Sequence, residues 1–175
     1  WPARPLVSAG LIYADTAVPE EMARLAHNPI VKGFTTNPTL ARKAGIKDYL
    51  RWAKHLAYGF PSYPISFEVI ADDFDDMERQ AHLLRELGDN VFVKIPIVNA
   101  QGHSALPLIC SLSMQGVPVN VTAVMSMAQL DALKTTLCDV PAIVSVFAGR
   151  IADTGRYPAG TIKHALRCKA AITHK

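Results

Sequence analysis

The chain has no C-x-x-C pair, no long apolar run, no block of one charge and no glycine-rich phosphate turn, and each absence removes a class of protein. Its three cysteines among 175 residues, Cys110, Cys138 and Cys168, are odd in number and far apart. That fits neither a disulfide framework nor a thiolate zinc site, so they read as buried bystander thiols in a reducing, cytoplasmic setting. A membrane span needs about 18 or more uninterrupted apolar residues, and every apolar run here is soon broken by Asp, Lys, Asn, Gly or Pro; no membrane partner is expected. The net charge of +3 is too small and too dispersed to mark a nucleic-acid surface. Six histidines are scattered with no H-x-x-x-H or two-His-one-carboxylate pattern, so metal catalysis is unsupported and no cofactor is expected. The opening Trp1-Pro2-Ala3-Arg4-Pro5 lacks a signal-peptide apolar core, so export is not indicated, and a first residue other than Met suggests a processed, tagged or trimmed start.

What is present is ordinary globular composition, half hydrophobic and 19% charged, in a length that suits one domain over residues 1–175. Short runs rich in Val, Ile and Phe alternate with longer segments of helical spacing, the pattern of βαβ units and a parallel sheet. Strands are predicted at Leu11–Thr16, Val31–Asn37, Pro64–Ile70, Val91–Ile97, Pro118–Val124 and Ala142–Gly149. Helices are predicted at Pro19–His27, Pro38–Tyr58, Phe74–Leu87, His103–Gln115 and Met127–Cys138, with a last one at about Thr161–Ala171. Asn37-Pro38 supplies an N-cap followed by Pro at the first helical position, and Ser126 can cap the fifth helix. Gly45, Gly88 and Gly116 fall near helix ends or breaks, where a left-handed residue is often needed.

Six units at about 29 residues each stop roughly two units short of a closed (β/α)₈ barrel of about 250 residues. An open doubly wound sheet would call for a G-x-G-x-x-G turn after an early strand, and Ala17-Val18-Pro19 stands there instead.

Polar residues are set into these apolar strands. Side chains alternate faces with period two, so Tyr13/Asp15, Thr35/Asn37, Ser66/Glu68, Phe92/Lys94, Asn120/Thr122 and Ser145/Phe147 each share a face, and in a barrel all six pairs can point inward. Catalytic groups of such barrels gather at the C-terminal mouth, each from a different strand. Lys94 is the sharpest of them: apolar neighbours disfavour an ammonium and favour the neutral amine that attacks carbonyls. The competing reading is a snorkelling edge lysine, or half of a structural ion pair with Glu68 or Asp15. Those two carboxylates suit general acid or base work, or simple neutralisation of Lys94. Thr122, Asn120, Asn37 and Ser145 can equally close strand ends by bonding backbone. Arg150 and Arg156, after the sixth strand, can hold a phosphate or pair with Asp153 in a solvated turn.

The segments Ala14-Asp15-Thr16, Gly33-Phe34-Thr35-Thr36-Asn37-Pro38-Thr39, Ser66-Phe67-Glu68-Val69, Val93-Lys94-Ile95-Pro96, Val119-Asn120-Val121-Thr122 and Ser145 through Asp153 together resemble the transaldolases, class I Schiff-base aldolases of the (β/α)₈ type. The resemblance implies Lys94 as the lysine that attacks the ketone of a ketose phosphate and Asp15 as the base for the C4 hydroxyl. Glu68 with Thr122 would move protons through a bound water. Asn37, Asn120 and Ser145 would hold substrate hydroxyls, Thr35 and Phe147 line the substrate site, and Arg150 meet the phosphate.

Fructose-6-phosphate aldolase-like relatives carry Gln and Tyr where this chain has Glu68 and Phe147. Both choices here therefore resemble those of a transferase, with sugar phosphates as partners. Release of free dihydroxyacetone is the nearest rival, and an inert barrel that binds a sugar or a partner chain is the rival from another class. The family's seventh and eighth strands are not in this sequence, and an unclosed barrel would expose two apolar edges, so the expectation is either a piece of a longer protein or a barrel completed by another segment. Family members often assemble, and a homo-oligomer is left open.

Overall fold

The computed structural model describes residues 12–137 and 140–172. The N-terminal pentapeptide, the predicted strand start at Leu11 and the helix end at Cys138 lie outside the described residues. Six strands form one sheet: β1 (Ile12–Asp15), β2 (Val31–Thr35), β3 (Ile65–Glu68), β4 (Val91–Pro96), β5 (Val119–Val124) and β6 (Ala142–Val146). Their spatial order is their chain order and every pairing is parallel. A doubly wound sheet reverses its strand order at a switch point; this one does not, and it curls as six consecutive units of a TIM-type barrel.

Each strand hands over to helix: α1 (Pro19–Ala26), α2 (Pro38–Lys43), α3 (Tyr49–Gly59), α4 (Phe74–Arg85), α5 (Leu106–Met114), α6 (Met127–Thr136), α7 (Ala148–Asp153) and α8 (Ala159–Ile172). Local chemistry sets their starts. Asn37 Oδ1 accepts from Leu40 N at 2.9 Å ahead of Pro38, and Asp73 Oδ1 accepts from two backbone amides of α4. Ser126 and Gln129 form a reciprocal capping box on α6, which satisfies two otherwise orphaned donors.

The predicted helix over 38–58 is two helices. Gly45 turns left-handed at φ 76°, and the carbonyls of Arg42 and Leu40 are satisfied there, ending α2; Asp48 then caps α3. Gly116 is left-handed as expected, but Gly88 is not. A Cβ on Gly88 would meet Asn90 Oδ1 at 2.7 Å, and Asn90 Nδ2 is engaged by the carbonyls of Ala57, Phe60 and Tyr63. The sixth strand ends at Val146 rather than 149, and the turn expected after it is the short helix α7. Segment 98–105 closes by a Val98–Ser104 bridge, so α5 starts at Leu106 instead of His103.

The core lies between sheet and helices, with Phe34, Phe67, Met22, Leu56, Met77, Leu84, Ile109, Leu112 and Leu133 fully buried. Side chains of this size contribute about 1.5–3 kcal/mol each on burial. Strands β3, β4 and β5 are buried on both faces, as the continuous apolar runs predict, whereas β6 is half-buried throughout and β1 is half-buried or exposed. Cys168 is buried; Cys110 is only half-buried, because α5 turns Ile109 and Leu112 to the core instead.

Candidate active site

The register of the sheet places the polar strand residues on one face. Asp15 is level with Thr35, Thr35 with Ser66, Glu68 with Lys94 and Lys94 with Asn120. Counting by twos along each strand adds Thr122 and Ser145 to that face. Asn120 Nδ2 donates to Ser66 Oγ at 2.9 Å, and Ser145 Oγ donates to Asn120 Oδ1 at 2.8 Å. The first of these bonds joins β3 to β5 over the top of β4. Strands two apart are separated by nearly 10 Å in a flat sheet, so such short side chains meet only because this face is concave.

At the centre stands Lys94, 7% exposed. Its Nζ lies 3.1 Å from Glu68 Oε2 and donates to the Thr36 carbonyl at 3.2 Å. Thr122, one step further along the face, is 1% exposed, and its Oγ1 has no hydrogen-bond partner. An unpaired buried hydroxyl costs about 1–3 kcal/mol and marks a position kept for something other than packing. Its neighbour Ala123 has φ 59°, the only positive φ of a non-glycine residue among those described, and the β5–β6 register slips between Val121 and Val124. A bulge of this kind re-aims a side chain at the rim of a sheet.

The remaining predicted residues divide. Asp15 Oδ1 accepts from Thr35 Oγ1 at 2.9 Å in an exposed position, so those two act together. Asn37 Oδ1 accepts the Leu40 N–H at the start of α2. Phe147 and Arg150 line a cleft of ≈ 470 Å³ with Val146, Ala148, Gly149 and Asp153. Arg150 pairs with Asp153 at 3.5 Å, both of them exposed.

Two contributors were not read from the sequence: the Thr36 carbonyl and Tyr49. The Tyr49 hydroxyl donates to the Glu68 carbonyl at 3.0 Å and accepts from the Glu68 N–H at 3.1 Å. Burial pushes this phenol far above its usual range, so it keeps its proton. The only sequence signal for it was Pro38, which lacks the N–H a neighbouring strand would supply.

A second cluster lies outside the barrel, where Asp131 of α6 and His164 and Cys168 of α8 bring ligand atoms within 4.8 Å of one another. The His164-x-x-x-Cys168 spacing was its sequence signal. Lys134 Nζ sits 2.8 Å from Asp131 Oδ1 and already supplies a cation there. Among the described residues, no helix is long and apolar enough to cross a membrane.

Residues 12–174 match the family model described as Transaldolase/Fructose-6-phosphate aldolase. The chain is 39% identical over 144 residues to a probable transaldolase of Dehalococcoides mccartyi, covering 82% of this chain and 63% of that one. Identity is 38% over 143 residues to a probable transaldolase of Novosphingobium aromaticivorans (82% and 62% covered) and 36% over 143 residues to one of Aquifex aeolicus (81% and 61%). The chain spans about three fifths of the length of these relatives. With that match over residues 12–174, and relatives at 36–39% identity, the chain belongs to the transaldolase/fructose-6-phosphate aldolase family.

Proposed function

We propose that this protein transfers a dihydroxyacetone unit from a ketose phosphate, fructose 6-phosphate or sedoheptulose 7-phosphate, to an aldose phosphate through an imine on Lys94, as a cytoplasmic enzyme of the pentose phosphate pathway. The observation that carries this reading is the Lys94–Glu68 pair. The ammonium is held 3.1 Å from a carboxylate that is itself one-fifth exposed, so Glu68 can take the proton and free the amine when substrate arrives.

The amine adds to the C2 carbonyl to give a carbinolamine, and loss of its hydroxyl as water gives the imine. Glu68 and the unpartnered Thr122 hydroxyl are the groups available to shuttle protons in those two steps. Asp15, oriented by Thr35, takes the C4 hydroxyl proton as the C3–C4 bond breaks; the aldose leaves and the electron pair stays as an enamine on Lys94. The enamine then attacks the acceptor aldehyde, whose oxygen takes back the proton held by Asp15, and hydrolysis of the resulting imine releases the new ketose and the Lys94 amine.

Asn120 and Ser145 supply hydrogen bonds to substrate hydroxyls, and Arg150 leaves Asp153 for the phosphate. Phe147 at the cleft has no proton to give the enamine, which favours transfer over release of dihydroxyacetone.

The test is mass spectrometry after incubation with fructose 6-phosphate and borohydride, which reduces an imine irreversibly. A sugar-derived adduct on Lys94, absent from Lys94→Ala, is the expected result. An unmodified protein overturns the reading.

A further inference from the structure

Parallel strands exchange hydrogen bonds every second residue, and β2 follows this rule against β3 until it meets a proline. Phe34 N donates to Pro64 O at 2.9 Å and Thr36 N to Ser66 O at 3.0 Å. The next donor in that series would be residue 38, aimed at Glu68 O, and Pro38 has no N–H. The Tyr49 hydroxyl donates to Glu68 O in its place.

On the return side, the Glu68 N–H would bond Thr36 O. It bonds Tyr49 Oη instead, at 3.1 Å, and Thr36 O accepts Lys94 Nζ. One phenol thus occupies two ladder positions belonging to the residue that carries the carboxylate. Its ring is fixed at the first turn of α3 against Trp52, with centroids 5.3 Å apart.

We propose that Tyr49 is a positioning residue for the Lys94 centre: by satisfying both backbone groups of Glu68 it releases the Thr36 carbonyl to hold the lysine nitrogen. The inference rests on Lys94 being the imine-forming residue. Without the hydroxyl, the Glu68 N–H recaptures Thr36 O, and Lys94 loses an acceptor that stabilises its ammonium and fixes its aim.

The experiment is the rate of borohydride trapping by fructose 6-phosphate, read as Lys94 adduct by mass spectrometry across ketose concentration, in wild type and Tyr49→Phe. Phenylalanine keeps the ring packing and removes one oxygen. The trapping rate should fall about 10-fold, within the range of lost positioning and proton-transfer effects, while half-saturation by the ketose changes less than about 2-fold.

A folded Tyr49→Phe protein with an unchanged trapping rate overturns the proposal. Should that variant not fold, 4-fluorophenylalanine placed at position 49 alone fills the volume of the hydroxyl without its two strong hydrogen bonds; a fallen trapping rate supports the role and an unchanged one overturns it. No adduct in wild type would instead remove the Lys94 reading itself, and this inference with it.

Discussion

Two lysine–carboxylate contacts in this molecule look alike and behave differently. Lys134 and Asp131 are 2.8 Å apart on one turn of α6, with side chains 35% and 54% exposed; Lys94 and Glu68 are 3.1 Å apart on neighbouring strands, 9% and 21% exposed. The shorter contact is the weaker one, because water and salt screen an exposed pair while a buried pair keeps much more of its field. Lys134, and secondarily His164, hold the Asp131 carboxyl below its usual range, yet the unpartnered buried side-chain atom found among the described residues, Thr122 Oγ1, lies on the Lys94 face. Chemistry follows from burial and from what else the pair faces, and the distance alone says little.

Glu68→Ala should break the inner pair with the largest effect, slowing imine trapping about 100-fold without unfolding the sheet, as circular dichroism would confirm. Thr122→Val comes next and separates packing from chemistry. Removing an unpaired buried hydroxyl at constant volume should raise the melting temperature and still slow trapping about 10-fold. A slower but not more stable variant would mean the hydroxyl has a partner in solution.

Phe147→Tyr, at the mouth, should raise acceptor-free release of dihydroxyacetone a few-fold, measured by product analysis; no change would count against reading the chain as a transferase. Asp131→Ala should do least, leaving trapping unchanged and lowering the melting temperature by no more than about 2 °C at neutral pH. Because the folded carboxyl is depressed, its contribution is present above the ordinary carboxylate range. The gap between variant and wild type should therefore close as pH falls through the folded value.

Much of this was legible in the sequence, and the reasons are specific. Strands β3, β4 and β5 announced themselves because both faces are buried, and period two then put Ser66, Glu68, Lys94, Asn120 and Thr122 on one face without any coordinates. The Asn37 and Ser126 caps followed from side chains that bond their own backbone. The break between α2 and α3 was hidden because Gly45 alone does not say whether a helix bends or stops. Tyr49 and the Thr36 carbonyl were invisible for a deeper reason: one is an aromatic among other aromatics, the other a main-chain atom with no letter of its own. The outer Asp131, His164 and Cys168 cluster escaped because helix packing brings Asp131 to a pair of residues 33 or more positions away.

Ala123 carries a consequence for how this protein can change. A left-handed alanine costs about 1–2 kcal/mol that glycine would not, so the chain has an easy route to greater stability immediately beside Thr122. Taking it would loosen the segment that aims the hydroxyl. Selection for heat resistance and selection for turnover therefore pull on the same codon in opposite directions, and a laboratory lineage evolved for one should reveal its conflict with the other there first.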